Sequence, residues 1–356
     1  MGVFLVSSLF FGSFLGAEEL LKNKESTETG FVLIPGAFYK PETKVGFLGA
    51  LFYYFNVSNE SLYNRQSYFS FTNIYTINKQ FQSTWANRIY LEDLSYILYN
   101  RVKLINYPDK FYEIGNQSPD DPIDYTNKEL EVKCELSRLV FFPFYAGLTY
   151  EWKNNRFRNI QSSLGNEPAP LKTSNGNVSG LGFALSWDTR DNFFFTKEGA
   201  YHHLEFSVFD PHLNSDFSFQ TFQADFRYFF MLHSNLAMAF QYFFRYAHGD
   251  VPFQKLSSLG GDEKMRGIFG GRYRDNTMMV FQVESRLQLS ERIHLVSFGG
   301  VGDVSDGLKG YDLSDFKIAV GGGLRYRLTS NGLNIRGDAG YSKDNVLFYL
   351  TVMEAF

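Results

Sequence analysis

The sequence predicts an all-β protein: a transmembrane antiparallel β-barrel, sixteen-stranded, in a bacterial outer membrane. Three observations carry that expectation. Polar and apolar residues alternate with period two through most of the 356 residues, the pattern of strands with unlike faces. Aromatic residues make up 18% of the chain, alongside 31 glycines and only 10 prolines, which favours strands and turns over helices. After Ala17 no stretch is long and apolar enough for a helical span, which takes about 18 or more apolar residues.

Met1 to Ala17 reads as a signal peptide, with an apolar core from Val3 to Leu15 and Gly16-Ala17 before Glu18-Glu19. It lacks a basic start, since the first lysine is Lys22; a buried N-terminal helix is the alternative. Residues 18–30 read as a short polar periplasmic tail, and residues 31–356 as the barrel. The net charge of −4 shows no polybasic surface, so no nucleic-acid partner is expected. The single Cys134 excludes a disulfide framework and a cysteine-rich metal site.

Within the barrel, Gln282, Glu284, Arg286 and Gln288 lie on one face of a strand, and Phe281, Val283, Leu287 and Leu289 on the other. Glu129, Glu131, Lys133 and Glu135 oppose Leu130, Val132, Cys134 and Leu136 in the same way. Thr221 to Phe230 and Phe316 to Leu328 repeat the pattern. These strands run about ten to fifteen residues, where soluble strands have about five or six. Their polar faces carry both signs of charge, which suits a polar lumen, and their apolar faces suit lipid. Candidate strands begin near Phe31, Lys44, Gln66, Gln80, Ser95, Lys128, Phe142, Asn177, Ala200, Asp216, Asn235, Met278, Glu291, Asp315, Gly332 and Val346. Three connections are long: Tyr107 to Asn127, Asn154 to Gly176, and Gly249 to Thr277. The first two are rich in turn residues. The third is rich in Gly and Arg, and loops of that length often do specific work.

That third loop contains Leu259-Gly260-Gly261-Asp262-Glu263-Lys264-Met265-Arg266-Gly267-Ile268. The segment resembles the loop-six signature of the BamA/TamA outer-membrane family, the bacterial surface antigen family. Two further stretches are similar to that family. One is Gly180 to Asn192 with its Asp188-Thr189-Arg190-Asp191-Asn192 turn and Lys197-Glu198-Gly199 after it; the other is the last strand, Phe348 to Phe356. The resemblance covers the mature chain in order and implies a sixteen-stranded barrel. Two departures stand out. The chain has no periplasmic POTRA repeats, and Gly300 occupies the place of an expected aspartate in Phe298-Gly299-Gly300-Val301-Gly302.

The resemblance implies that the loop folds into the barrel, with Gly260, Gly261, Met265, Arg266, Gly267 and Ile268 as its motif. It implies that Arg266 pairs with inward acids. Alternation places Glu284 inward, at the family's acidic position, and with Gly300 in place of an acid Arg266 should have one partner fewer. A solvated loop arginine is the alternative. Gly300, Gly302, Gly321 and Gly323 share the inward face of two adjacent strands and would leave room for the loop; strand twist and bulges explain them equally well. Phe348, Leu350, Val352 and Phe356 are expected to point outward, with Tyr349 and Thr351 inward, and the strand resembles the signal read by assembly machinery. Pro35 cannot donate to a ladder, so the seam between first and last strands should be short or irregular.

Other clusters have plainer readings. Asp188, Arg190 and Asp191 read as a strand-end turn rather than a charge relay. Asp303, Asp306, Asp312 and Asp315, like Asp120, Asp121 and Asp124, lack calcium-loop spacing and read as solvated loops. No catalytic or metal motif links the six histidines, so no cofactor and no enzyme activity are expected. The expected partners are outer-membrane lipid and assembly machinery or other membrane proteins. Three functions fit: a relative of the assembly and translocation barrels that passes protein or lipid through a weak seam, a passive channel or porin, and a surface-exposed structural or adhesive barrel.

Overall fold

The computed structural model describes residues 29–55, 57, 67–91, 94–161, 168–328, 332–343 and 345–356. The expected leader 1–17, residues 18–28 of the expected tail and the Val352 side chain lie outside the described residues.

The strands, in chain order, begin with β1 (Gly30–Lys40), β2 (Lys44–Phe55), β3 (Ser67–Thr76), β4 (Phe81–Leu91), β5 (Tyr96–Phe111) and β6 (Ile123–Phe141). They continue with β7 (Phe144–Gln161), β8 (Gly176–Asp188), β9 (Gly199–Phe209), β10 (Phe219–His233) and β11 (Leu236–Gly249). The loop after β11 carries two short strands, β12 (Ser257–Leu259) and β13 (Tyr273–Asp275). The last five are β14 (Thr277–Gln288), β15 (Ile293–Ser305), β16 (Lys317–Arg327), β17 (Asn334–Ser342) and β18 (Asn345–Val352). A one-turn helix, α1 (Ala169–Thr173), lies between β7 and β8.

Among the described residues sixteen strands close into one antiparallel barrel, while β12 and β13 pair only with each other. Chain neighbours pair throughout, β11 pairs with β14, and β1 meets β18. Closure satisfies the backbone where no water is available. The connections after β5, β7, β11 and β15 are longer than most turns at the other end. Longer loops face outward in outer-membrane barrels, so that end is extracellular.

Alternation sorts the side chains. Phe31, Leu148 and Ile318 are 71%, 73% and 66% exposed on the outer wall, where lipid covers them. Charges line the inside. Glu131 takes hydrogen bonds from Arg101 at 2.6 Å and Lys153 at 2.9 Å, and Lys133 pairs with Glu205 at 2.7 Å.

Two expectations are corrected. The connections expected at 107–127 and 154–176 are much shorter, because β5, β6 and β7 run to 16, 19 and 18 residues. Their polar outer ends stay paired because the inward side chains there are apolar. Phe111, Tyr125 and Phe157 pack with Leu171 of α1 and with Phe253 and Leu256 of the loop after β11, forming a small core above the lumen. The second correction concerns Phe356. It was expected to point outward, yet it is 6% exposed and packs with Phe229, Ala239 and Ala355. The reason is local: β18 ends at Val352, Met353 turns the chain with φ 71°, and Glu354 is held inward by Arg325 at 2.8 Å. Phe348 and Leu350 do face outward, 58% and 41% exposed, while Tyr349 and Thr351 face inward.

The seam differs from every other junction. β1 and β18 share a single register pair, Tyr39 with Leu350, whereas β10 and β11 are paired along nearly their whole length. Pro35 stands opposite Gly49 of β2, in the part of β1 that has no partner on β18. Hydrogen exchange of the detergent-solubilised barrel should resolve this difference. Amides of β18 on the β1 side should exchange at least about a hundredfold faster than those of the β10–β11 ladder, since unpaired edges open locally. Equal protection would show a continuous ladder in solution.

Candidate functional site in the barrel lumen

The loop after β11 does not stand in solvent. Its backbone turns tightly at Gly260 and Gly261, where Gly260 N–H donates to Lys264 O at 2.8 Å and Gly261 N–H to Ile268 O at 2.9 Å. Gly260 has φ +107°, and a Cβ there would lie 2.2 Å from Phe269 O; only glycine fits such a turn without strain. Leu259, Met265 and Ile268 are buried with Phe243, Tyr273, Met278, Val280 and Val304 of the surrounding wall and loop. The loop therefore has its own apolar foot inside the barrel.

Gln282 of β14 holds the tip in register. Its amide oxygen accepts from Met265 N–H at 3.1 Å, and its amide nitrogen donates to Glu263 O at 3.0 Å and Gln241 at 2.9 Å. On the far side, Gly267 N–H donates to the Tyr349 hydroxyl of β18 at 3.1 Å. There the loop backbone rides directly on β17: a Cβ on Gly340 would lie 2.6 Å from Gly267 N. The loop also reaches the β1–β2 turn, where Glu42 accepts from Gly270 N–H at 2.5 Å and Lys40 pairs with Asp262 at 2.9 Å. Burial raises the Glu42 pKa, with the Gly270 N–H opposing. Burial would also raise that of Asp262, but Lys40 and Arg336 outweigh it and hold it low.

This arrangement delivers Arg266, 2% exposed, to the centre of the wall formed by β14–β17. One guanidinium nitrogen donates to Glu284 at 2.5 Å and another to Asp338 of β17 at 2.7 Å. The guanidinium carbon lies 3.6 Å from the Phe298 ring centroid, a cation–π contact in a dry setting. Burial by itself would depress the Arg266 pKa, but the two carboxylates outweigh it and raise it, so the group stays charged.

Each carboxylate has more than one cation. Glu284, fully buried, also accepts from Arg286 at 2.8 Å and lies 3.4 Å from Arg325; Asp338 accepts from Arg325 at 2.6 Å and lies 3.5 Å from Arg336. Arg325 continues to Glu354, and Arg336 to Asp262 at 3.1 Å. The four arginines are thus balanced by Glu284, Asp338, Glu354 and Asp262. Arg286 spends its remaining donors on Thr196 O at 2.8 Å and Phe356 O at 3.1 Å. Through Arg286 the cluster reaches both the β8–β9 turn and the inward-turned end of the described chain.

The small residues take separate tasks. A Cβ at Gly300 would come 2.7 Å from Met265 Sδ, and one at Gly302 3.2 Å from Leu259 Cδ1, so these two lie beneath the loop. Gly321 and Gly323 face other groups, the Phe298 ring at 2.4 Å and Asp338 Oδ1 at 2.0 Å. They make room for the two side chains around Arg266 rather than for the loop. An aspartate at position 300 would collide with Met265. The second carboxylate comes from Asp338, so Arg266 does not have fewer partners, as Gly300 had suggested. Reading of the sequence missed Asp338, Arg325 and Arg336. For Arg325 the signal was the polar face of Phe316 to Leu328, and for the other two it was alternation in β17, where Asn334, Arg336 and Asp338 share a face.

Elsewhere Asp188 to Asn192 form the expected strand-end turn, whereas Asp303 does not lie on a solvated loop: it is buried within β15. Arg190 pairs with Asp188 at 3.0 Å, and Asp191 accepts from Lys197 N–H and Glu198 N–H, closing a turn. Asp312 accepts from Ser314 N–H, and Asp303 faces Asn116 at 3.1 Å and Lys317 at 3.5 Å. Among the described residues no group of three or more His, Cys, Asp or Glu is placed to hold a metal ion.

A sixteen-stranded barrel with an external loop pinned inside it by a buried arginine–carboxylate cluster defines a class of outer-membrane protein. The chain belongs to the Omp85 superfamily: the Omp85 superfamily domain matches residues 52–343. Solved structures agree in fold. BamA from Haemophilus ducreyi lacking POTRA domains 1-3 is similar with a TM-score of 0.61 at 11% identity, over 98% of this chain and 78% of that one. CdiB from Acinetobacter baumannii gives 0.61 at 14% identity, over 92% of this chain and 60% of that one. CdiB from Escherichia coli gives 0.59 at 10% identity, over 94% and 69%. No curated protein matches the sequence.

Removing one partner of a buried charge cluster typically costs about 3–5 kcal/mol, against about 0–1 for a surface pair. Arg266→Ala, Glu284→Ala and Asp338→Ala should each lower barrel stability on that larger scale. Because the groups share partners, double variants should lose less than the sum. Urea unfolding in liposomes, read by tryptophan fluorescence, measures both; additive losses near surface-pair size would refute the cluster's role.

Proposed function

We propose that this chain is an Omp85-type barrel that assists the insertion or passage of protein or lipid in the outer membrane, using the β1–β18 seam as its opening and the loop after β11 as its plug. The single observation that carries this reading is the contrast in the wall. One junction is held by one residue pair, while the lumen beside it is filled by a loop tied to β14, β17 and β18. Opening such a barrel sideways breaks few backbone hydrogen bonds. Opening it along its axis would expose the buried charges of the Arg266 cluster, which is costly. The same balance disfavours a passive channel. The working partners are membrane lipid and unfolded or lipid-linked cargo.

A Tyr39→Cys/Leu350→Cys variant tests the seam. In proteoliposomes the reduced form should speed the folding of a small test barrel, the oxidised form should not, and added reductant should restore the effect. Acceleration that survives cross-linking would sink the seam mechanism. Planar-bilayer recording tests the plug. The unaltered chain should show little steady conductance, and Arg266→Ala should raise it and lengthen the open events. A large steady conductance without the substitution would favour the channel.

A further inference from the structure

We propose that the outer wall, where β6 and β7 leave the membrane, binds the phosphate-bearing headgroup of an outer-leaflet lipid. The outward face of β7 changes character along its length. Leu148, Tyr150 and Trp152 come first, then Asn154, then Arg156 and Arg158. The first two are 73% and 38% exposed, as lipid-facing residues are. Aromatic residues mark the membrane interface in such barrels. Arg156 lies four residues beyond Trp152, about 13 Å along the strand at about 3.3 Å per residue. At a tilt near 45° that is roughly 10 Å further out, the depth of lipid phosphates.

Register brings a third cation to the same place. Lys128 of β6 stands directly opposite Arg156, and Arg158 stands opposite Thr126. All three cationic side chains are exposed, and among the described residues none of them has an ion pair or side-chain hydrogen bond. The nearby acids are engaged elsewhere: Asp124 pairs with Lys110 at 3.5 Å, and Asp216 accepts from Asn177 N–H at 2.6 Å. Inward cations such as Lys133, Lys153 and Lys255 are balanced by carboxylates; these three face outward and are not.

The patch also has a concavity. β7 overruns β8, whose first residue, Gly176, pairs with Asn155. Beyond that point β7 has no partner strand, its Phe157 N–H donating instead to Asn175 Oδ1 at 2.6 Å, and a pocket of about 410 Å³ opens there, lined by residues 154–158 of β7 with Asn175 and Gly176. Two guanidinium forks beside such a space match the geometry of a phosphate group. The apolar wall immediately below would take the lipid's acyl chains. A free phosphate shares the headgroup chemistry but gains nothing from that wall.

The test uses the full chain in nanodiscs of phosphatidylcholine doped with diphosphoryl lipid A or with its dephosphorylated form, read by native mass spectrometry after release. The unaltered barrel should retain the diphosphoryl lipid at least about tenfold better than the dephosphorylated one, since each cation near an anionic surface adds to affinity. Lys128→Gln/Arg156→Gln/Arg158→Gln should abolish that preference. The single Arg156→Gln variant should weaken it severalfold, and Arg156→Lys should restore part of it, which keeps the test valid if the triple variant folds poorly. Inorganic phosphate should not compete. Equal retention of the two lipids, or an unchanged preference in the variants, overturns the proposal. Displacement of the lipid by inorganic phosphate alone overturns it in favour of a small-anion site.

Discussion

Burial of Glu284 and Asp338 is the constraint on which the rest of the interior depends. Two carboxylates with no water contact would be strongly destabilising alone. They become tolerable because Arg266, Arg286, Arg325 and Arg336 converge on them from a loop and three strands. Only one of these, Arg266, arrives from outside the wall. The loop is therefore not a decoration on a finished barrel. Without it, Glu284 and Asp338 each lose a cation, and Arg336 loses Asp262.

Placing that guanidinium imposes conditions on its neighbours. The backbone around Gly267 must lie against β17, so position 340 can carry no side chain. Met265 must lie under the tip, so a side chain at position 300 would have to displace it. Phe298 must lie flat beneath Arg266, and Gly321 clears the space its ring occupies. Glycine in a strand costs local stability. Here the cost is offset by the loop that packs into the vacated volume, so the β14–β17 side of the barrel is dense. At the β1–β18 junction the ladder is a single register pair, and Pro35 removes a donor from β1. The barrel is thus strong on one side and weak at its seam, an asymmetry set by where small residues and charges fall along the chain.

The same logic explains the inward turn of the last described residues. Arg325 and Arg286 still have donors to satisfy after serving Asp338 and Glu284. Glu354 and the carbonyl of Phe356 meet them, and the Phe356 ring fills space against Phe229. A continued outward strand would have left those donors buried and unpaired, which is costly.

Much of the barrel was legible without coordinates. Period-two alternation assigns each residue a face, and the lengths of the alternating runs give the number of strands closely. Alternation put Glu284, Tyr349 and Thr351 inside and Phe348 and Leu350 outside. It could not say which inward residues meet. Asp338 is 72 residues from Arg266 in sequence, and their contact follows from loop depth and strand register together, neither of which leaves a local mark. The extended ends of β5–β7 were hidden for a related reason: their Asn, Asp and Pro residues look like loop, while their inward aromatic residues pack on Leu171, Phe253 and Leu256 from distant parts of the chain. Phe356 was misplaced because alternation holds only while a strand continues, and where it stops was decided by two arginines on other strands. Sequence alone determined the faces, the strands and the loop that carries Arg266. The tertiary structure decided the partners, because partners are set by distances between segments far apart in the chain.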